Sequence, residues 1–358
     1  MGLQRSVPEK PSGCDLNRLA KDNKLKMNIL AGDIGGTKTI LAIFPPGARP
    51  RQPLAEMTFP SSRYASLEEI VREFLDKASL PVDRACIGVA GPVIAGLAKV
   101  TNLAWVVDGP SLQSTFQWSA VALLNDLESV AYGIPVLGPE DFYTLSAGVP
   151  VMDGAIAVLA PGTGLGESFM IGENGTYRAL ASEGSHADFA PVGPLQVGLL
   201  NYVIQQGFEH VSYERVCSGL LGMPNLYAYL KTTCLEEPIW LAEQLAACED
   251  PTPVIVSAAH DDTRPSALAK ATLDLFVAIL GAEAGNLALK VLSAGGIYLG
   301  GGISPRILAD LQKPFFLEAL RSKGRFRKLL TDMPVHVILN SRAALLGAAA
   351  YGLTLPTS

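Results

Sequence analysis

The chain is poor in charge and in aromatic residues, and its basic residues do not outnumber its acidic ones. Of its 358 residues, 17% are charged and 7% aromatic, with 28 Lys and Arg against 34 Asp and Glu. The net charge of −6 argues against a nucleic-acid-binding protein, because neutralising phosphates requires a basic face. Since 49% of the residues are hydrophobic, burial can offset the entropy of ordering, and general disorder is excluded.

Cysteines are few, and long apolar runs are missing. The five cysteines are an odd number and lie far apart: Cys14, Cys86, Cys217, Cys234 and Cys248. No two have metal-ligand spacing, which argues against a structural zinc site, and such thiols are typical of a reducing cytosol. No uncharged apolar run reaches the roughly 18 residues of a membrane span. We therefore expect a cytoplasmic protein with no membrane partner.

Strand and helix patterns alternate along most of the chain. Residues 1–26 differ in composition from the rest, lack the apolar core of a secretory signal, and are predicted to be a disordered extension. From Met27 onwards the alternation predicts an α/β fold with mixed sheets. The expected elements include strands at Thr39–Phe44, Ala85–Ala90, Val100–Val107, Ser119–Asn125 and Ala155–Ala160, and a helix that follows a capping box of Ser66 and Glu69.

Glycine-rich turns follow three of the predicted strands. They are Gly32-Asp33-Ile34-Gly35-Gly36-Thr37, Gly162-Thr163-Gly164-Leu165-Gly166 and Gly300-Gly301-Gly302. Bare backbone N–H groups can approach an anion there, although each turn alone is equally typical of an ordinary β-turn. Three such turns at strand ends favour nucleotide binding, and the first two suggest halves of similar build. Asp33 could hold a hydrated Mg²⁺.

Carboxylates and an imidazole stand at other strand ends and loops. Asn125 and Asp126 lie where a strand becomes a helix, at the sheet edge where α/β ligand clefts form. Asp126 could act as a general base, or it could be only the N-cap of the helix. Glu183 and His186, three residues apart, could face one polar ligand or form a loop network. Glu214 beside Arg215 is most often typical of a surface ion pair.

The ordered set of these segments resembles the bacterial-type glucokinase family. The motifs that carry the resemblance run from about Leu30 to the C-terminus: Asp33-Ile34-Gly35-Gly36-Thr37, Thr101-Asn102-Leu103-Ala104-Trp105, Leu124-Asn125-Asp126, Gly162-Thr163-Gly164-Leu165-Gly166, Glu183-Gly184-Ser185-His186, Glu214-Arg215-Val216-Cys217-Ser218-Gly219 and Gly300-Gly301-Gly302-Ile303. The resemblance implies a two-domain, actin/hexokinase-like (ribonuclease H-like) fold with a cleft between the domains. The expected domains are residues 27–136 with 340–358, and residues 137–339.

The resemblance also implies the reaction and the role of each residue. ATP would phosphorylate D-glucose to glucose 6-phosphate with Mg²⁺, and Asp126 would be the catalytic base. The implied sugar contacts are Asn102, Asn125, Asp126, Glu183, His186 and Glu214. The implied phosphate loops are Gly32–Thr37 and Gly162–Gly166, and Gly300–Ile303 matches the adenosine side. The resemblance is compatible with a homodimer.

The chain departs from the family pattern at a few positions. Lys38 follows Thr37 where many relatives have Asn, and Ser182 and Ser185 flank the Glu183 loop where glycine is more usual. None of these changes removes a ligand group, and the cysteine-rich zinc motif of the related sugar-kinase and repressor group is missing. Two alternatives stay open: a sugar- and nucleotide-binding regulator without catalysis, and a kinase that uses polyphosphate as donor.

Overall fold

The computed structural model describes residues 28–356 except 48, 102 and 234, and it is a mixed α/β structure. The strands of the described residues are β1 (Asn28–Ile34), β2 (Lys38–Phe44), β3 (Ala55–Pro60), β4 (Val82–Val89), β5 (Val93–Ile94), β6 (Leu97–Lys99), β7 (Val106–Asp108), β8 (Ala120–Asn125), β9 (Phe142–Ser146), β10 (Ile156–Pro161), β11 (Leu165–Glu173), β12 (Thr176–Ser182), β13 (Gly296–Leu299) and β14 (Val335–Ile338). Their α-helices are α1 (Leu67–Ala78), α2 (Gly109–Phe116), α3 (Asp126–Gly133), α4 (Gly193–Gln205), α5 (Tyr213–Val216), α6 (Gly222–Lys231), α7 (Ile239–Ala246), α8 (Pro251–Ala259), α9 (Ala267–Val291), α10 (Leu308–Leu311), α11 (Pro314–Arg321), α12 (Arg327–Asp332) and α13 (Ala343–Gly352).

The first sheet has five strands in the order β3-β2-β1-β4-β8. Strand β1 runs antiparallel to β2 and parallel to β4, and β4 runs parallel to β8. The register places Ile34 opposite Val89, and Val89 opposite Asn125. The segments that follow β1 and β8 therefore leave the sheet at one edge, where the strands end and ligand clefts of α/β proteins form.

The second sheet has six strands in the order β12-β11-β10-β13-β14-β9. Its first five positions repeat the first sheet: β10 pairs antiparallel with β11, β11 with β12, and β13 and β14 continue in parallel. The turns after β1 and β10 therefore occupy equivalent places, and the two halves have the similar build that their glycines suggested. Strands β5, β6 and β7 form a separate small sheet.

Helix α3 packs closely against both α13 and the second sheet. A Cβ on Gly347 of α13 would collide with the carbonyl oxygen of Ser129 in α3. A Cβ on Gly166 of β11 would collide with the side chain of Leu127, and the hydroxyl of Ser168 donates to the Leu127 carbonyl at 3.0 Å. Since α13 also contacts β1 and β4 of the first sheet, these small residues allow both sheets to meet around α3.

Helix α9 is the long apolar element of the fold. Among the described residues it is the one helix whose length and composition would suffice to cross a membrane, and 78% of its most apolar stretch is buried inside the protein. It contains the charged residues Lys270, Asp274 and Glu283. It is therefore not an uncharged apolar run, in agreement with the sequence analysis. Such burial is typical of a core helix.

Most of the predicted elements are present, with local differences. Helix α1 begins after Ser66, but the Ser66 side chain makes no capping bond; Glu69 accepts instead from the N–H of Ala65 at 3.0 Å. The strand predicted at Val100–Val107 is reduced to β7, because the N–H of Val100 bonds the carbonyl of Trp105 and closes a turn. The predicted extension of residues 1–26 lies outside the described residues.

We expect Gly347→Ala to destabilise the fold. The added methyl group meets the Ser129 carbonyl, so α13 and α3 must separate, and overpacking of this kind costs about 1–3 kcal/mol. Chemical denaturation should show the lower free energy of unfolding. The control is Gly47→Ala, because a Cβ on Gly47 has no neighbour within 4 Å. Equal stability of the two variants would show that the helices do not pack this closely.

Candidate active site

A cavity of about 750 Å³ lies where the strand ends of the two sheets face each other. Residues of both halves line it. The sequence-predicted site residues that do so are Asp33, Gly35, Gly36, Thr37, Asn125, Asp126, Gly162, Thr163, Gly164, Glu183, His186, Glu214 and Gly301. The fold therefore brings together segments that lie up to 268 residues apart, counted from 33 to 301.

A few predicted residues do not line the cavity, and one lies outside the described residues. Gly32 and Ile34 belong to β1 in the sheet interior, where a Cβ on Gly32 would be 3.1 Å from Ile87 and from Leu41. Gly300 faces Ala160 and Val130, and Gly302 has open space around it. Asn102 is not among the described residues.

The first glycine turn is a tight hairpin between β1 and β2. The N–H of Gly35 donates to the carbonyl of Lys38 at 3.0 Å. The hydroxyl of Ser61 donates to the Gly35 carbonyl at 3.0 Å and also lies 3.0 Å from the hydroxyl of Thr39. These bonds fix the turn, while Thr37 stays exposed at the cavity wall. The turn can therefore present backbone donors to an anion without rearranging.

The second glycine turn is tied to the segment that follows Glu214. The N–H of Gly219 donates to the Gly162 carbonyl at 2.8 Å, and the N–H of Leu165 donates to Oε2 of Glu214 at 3.1 Å. A Cβ on Gly164 would lie 2.5 Å from the same Glu214 oxygen. Glu214 is thus a partner of the glycine turn rather than half of a surface ion pair with Arg215, whose guanidinium stacks on Phe208.

The third glycine turn lies against the second one. The N–H of Gly300 donates to the Leu159 carbonyl at 2.7 Å, and the N–H of Ile303 donates to the Pro161 carbonyl at 3.1 Å. Gly301 has a φ of 76°, and a Cβ there would collide with the Pro161 carbonyl. Only glycine combines this backbone conformation with so close an approach. Two glycine turns therefore form one continuous backbone surface.

Asn125 and Asp126 stand at the start of α3, and Asn125 is the N-cap. Its Oδ1 accepts from the N–H of Leu127 at 2.9 Å and of Glu128 at 3.4 Å, and its Nδ2 donates to the Gly91 carbonyl at 3.1 Å. The alternative that Asp126 serves only as the cap is therefore wrong. Asn125 has one N–H left for a ligand, because its other polar groups are engaged.

Asp126 carries a perturbed carboxyl group. Its pKa is raised to about 6. Burial and the charges of Asp33 and Glu183 raise this pKa, whereas the N–H of Leu127, which donates to Oδ1 of Asp126 at 2.9 Å, lowers it. At neutral pH the group is ionised, yet it holds a proton far more readily than an exposed aspartate. This is the property that a general base needs.

Glu183 and His186 extend from the loop after β12 into the open cavity. Nε2 of His186 lies 3.8 Å from Oε2 of Glu183. The His186 side chain is 55% exposed and the Glu183 side chain is 64% exposed. The ring of His210 supports the loop: its Nε2 lies 2.8 Å from the His186 carbonyl oxygen, and its Nδ1 lies 3.0 Å from Asp188. Exposed polar groups on a supported loop are available to a polar ligand.

Asp33 is a suitable partner for a cation. Burial raises its pKa against the opposing effect of Lys38, and its charge raises the pKa of Asp126 in the same cavity. Two carboxylates that repel each other in a cleft fit a hydrated Mg²⁺, which prefers oxygen ligands. Among residues 28–356, apart from the three gaps, there is no cluster of three His, Cys, Asp or Glu for a metal.

Sequence reasoning missed several residues of the cavity wall. Gly91 and Pro92 follow β4, Thr101 follows the β5–β6 hairpin, and Glu167 lies inside β11. The position of Gly91 and Pro92 at a strand end was a usable signal. No signal in the sequence indicated Glu167, because a single glutamate in a strand has the pattern of an exposed residue.

The two halves share one α/β design and face each other across a cleft. Glycine turns lie on both sides of this cleft, and an aspartate with a raised pKa stands at a strand end. These features are those of a phosphotransferase of the actin/hexokinase-like class. The glucokinase family model matches residues 30–354. A glucokinase of Nostoc punctiforme is 39% identical over 335 residues, which cover 90% of this chain and 97% of that protein. The chain belongs to the glucokinase family, as its motifs predicted.

Solved structures agree with this assignment. A glucokinase from an Antarctic psychrotroph superimposes with a TM-score of 0.75 at 30% identity, over 91% of this chain and 98% of that one. A ROK family glucokinase from Streptomyces griseus, in complex with glucose and AMPPNP, has the same fold with a TM-score of 0.59 at 21% identity, over 91% of this chain and 99% of that one. The predicted fold class is confirmed.

We expect Asn125→Ala to lower the free energy of unfolding by about 1 kcal/mol, because it removes the α3 cap. Asn125→Ser, which keeps a capping oxygen, should restore most of that loss. Denaturant titration of the three proteins checks this. If serine restores nothing, the cap is not what Asn125 contributes.

Proposed function

We propose that the protein transfers the γ-phosphoryl group of ATP to the 6-hydroxyl of D-glucose, with Asp126 as the general base. The observation that carries this is the place of Asp126: its perturbed carboxyl lies in one cavity with Glu183, His186 and two glycine turns. The oxygen of the 6-hydroxyl would bond to the γ-phosphorus while the bond to the ADP oxygen breaks. The proton of that hydroxyl would pass to Asp126.

The sugar would occupy the part of the cavity lined by Asn125, Asp126, Glu183, His186 and Glu214. A hexose offers neighbouring hydroxyls that both donate and accept, and carboxylates, an imidazole and an amide match them. Charged hydrogen bonds contribute about 1.5–3 kcal/mol each, so a sugar that lacks one hydroxyl leaves a partner unsatisfied. Glu214 would share its carboxylate between the sugar and the N–H of Leu165.

ATP would lie along the glycine turns. The backbone of Gly35–Thr37 and Gly162–Gly164 would receive the phosphates. A second cavity of about 490 Å³ lies beyond the third turn and is lined by Pro253, Val256, Ile303, Arg306 and Ile307, with Thr252 and Ser257. Its largely apolar wall suits a purine ring, which supports the adenosine side that the resemblance placed near Gly300–Ile303.

Asp33 would hold Mg²⁺ through water. When bound, the metal supplies positive charge to the β- and γ-phosphates and so stabilises the charge that develops during transfer. Asp33 would orient that hydration shell, and its own negative charge would be neutralised. Asp126 would then lose its repulsive neighbour, which favours the ionised base.

We also propose the domain boundaries of residues 27–136 with 340–358, and 137–339, and a closing motion between the two domains. The open cavity exposes Glu183 and His186 to water. Closure on glucose would exclude that water and suppress hydrolysis of ATP. We further propose a cytoplasmic location and a role in glycolysis, consistent with the free buried thiols of Cys86 and Cys217. A homodimer is compatible with the family.

The regulator without catalysis is the second candidate, and Asp126 weighs against it. A protein that only binds sugar and nucleotide has no need of a carboxyl whose pKa is raised beside the acceptor site. The test is release of ADP by the purified chain with glucose and Mg-ATP. Formation of glucose 6-phosphate with polyphosphate in place of ATP would identify the other donor. No formation of glucose 6-phosphate with either donor would favour the regulator.

We expect Asp126→Asn to lower turnover by about 10²–10⁴-fold while glucose still binds, because the base is lost and the shape is kept. In the unmodified protein, turnover should fall as the pH drops below about 6, where Asp126 becomes protonated. Coupled ADP assays and calorimetry of glucose binding measure both effects. Asp76→Asn, an exposed aspartate of α1, is the matched control. Undiminished turnover of Asp126→Asn would refute the base.

We expect Glu183→Gln to raise the KM for glucose by roughly 5- to 15-fold and to leave the KM for ATP nearly unchanged, because a charged hydrogen bond to the sugar becomes neutral. Glu209→Gln, at an exposed position of the same half, is the control. Steady-state kinetics, with glucose and ATP varied in turn, measures the two KM values. A rise confined to ATP would place Glu183 on the nucleotide side.

A further inference from the structure

Two glutamates are buried together beside the candidate sugar site, and one of them, Glu167, forms part of the cavity wall. Glu167 of β11 is 1% exposed and Glu283 of α9 is 0% exposed. Both oxygens of Glu167 and Oε1 of Glu283 lack a hydrogen-bond donor among the described residues. A carboxylate only accepts hydrogen bonds, so two ionised carboxylates that face each other cannot satisfy one another. A single proton on one of them supplies the missing donor.

The surroundings decide which glutamate holds the proton. Glu283 accepts from Nδ2 of Asn286 at 2.9 Å, and Nζ of Lys290 lies 3.8 Å from its Oε1. Glu167 has no such donor, and burial together with the charge of Glu283 raises its pKa to about 8. At neutral pH the pair therefore holds one proton on Glu167 and one negative charge on Glu283.

The pair is connected to two segments that carry candidate sugar ligands, directly through Glu167 and by way of Asn286. The carboxyl of Glu167 lies against Gly184, between Glu183 and His186, so closely that a Cβ on Gly184 would collide with it. On the other side, Nδ2 of Asn286 donates to the hydroxyl of Tyr213 at 2.7 Å. Tyr213 immediately precedes Glu214 in the chain.

We propose that Glu167 and Glu283 are positioning residues, which share one proton and thereby hold the Glu183–His186 loop and the Tyr213–Glu214 segment in the geometry that binds glucose. This inference rests on the proposed function of the same cleft. Loss of the proton leaves two buried negative charges side by side. Their repulsion and desolvation push Glu167 against Gly184 and move the loop, which weakens glucose binding without touching the base.

The groups that face the pair act in opposite directions. The charge of Lys290 opposes the raised pKa of both glutamates, and Lys323 and the Tyr213 hydroxyl lower that of Glu283. The thiol of Cys217 is buried near both carboxyls and stays protonated, because burial and their charges raise its pKa. One proton therefore leaves the pair as the pH rises through about 8, and it leaves Glu167.

The test is the pH dependence of glucose affinity in the full chain and in Glu167→Gln. Glutamine is neutral at every pH and keeps an N–H donor for Glu283, so it imitates the protonated pair. In the unmodified protein the KM and the calorimetric Kd for glucose should be flat between about pH 7 and 8 and rise about tenfold per pH unit above pH 8, with kcat little changed. In Glu167→Gln both constants should stay within about threefold of the pH 7 value up to pH 9.5.

Two further variants complete the design. Glu173→Gln changes an exposed glutamate of the same strand and should keep the alkaline rise of the unmodified protein. Glu167→Leu removes the donor at every pH and should raise the KM at pH 7 by at least about tenfold, provided that its thermal unfolding shows it to be folded.

The outcomes separate the inference from the proposed function. An alkaline rise that persists in Glu167→Gln, or no rise in the unmodified protein, overturns the shared proton. A pH 7 KM for Glu167→Gln as high as that for Glu167→Leu shows a packing role only and also overturns it. If the unmodified protein does not phosphorylate glucose at pH 7, the proposed function itself has failed.

Discussion

The structure depends on the close packing of α3 between two sheets. Gly347 on one side and Gly166 on the other leave room for the helix backbone and for Leu127. Because α3 begins at Asp126, the same packing fixes a carboxyl group at the floor of the cleft. A larger residue at either glycine would move the sheets and the aspartate together, so stability and the geometry of the site rest on one contact.

Electrostatic repulsion within the cleft is a second common feature. The charges of Asp33 and Glu183 raise the pKa of Asp126, and no Lys or Arg is among the described residues that line the cavity. Such an arrangement is costly in an empty site and favourable when a cation, a proton or sugar hydroxyls arrive. The buried pair of Glu167 and Glu283 applies the same principle one layer deeper, where Lys290 and Lys323 provide the compensating charge.

Glu214 connects the second glycine turn to the wall of the cavity. Its carboxylate holds the N–H of Leu165 at the end of the second glycine turn and also lines the cavity near the candidate sugar ligands. Under the proposed function, this hydrogen bond would couple the position of the sugar to the position of the phosphates. This arrangement fits a reaction in which both substrates must be aligned before transfer.

The sequence alone determined the α/β class and the order of most strands and helices, because hydrophobic periodicity and glycine turns are local signals. The family and its two-domain fold came from the resemblance of the ordered motifs. Strand ends also predicted Asp126 and the glycine turns at the cleft. Other features depend on residues far apart in the chain. Tertiary packing alone decided four of them: the cap by Asn125, the bond from Leu165 to Glu214, the exclusion of Gly32 and Ile34 from the cavity, and the burial of Glu167 against Glu283. A side chain's partners and its pKa depend on what surrounds it in space, and no local pattern records that.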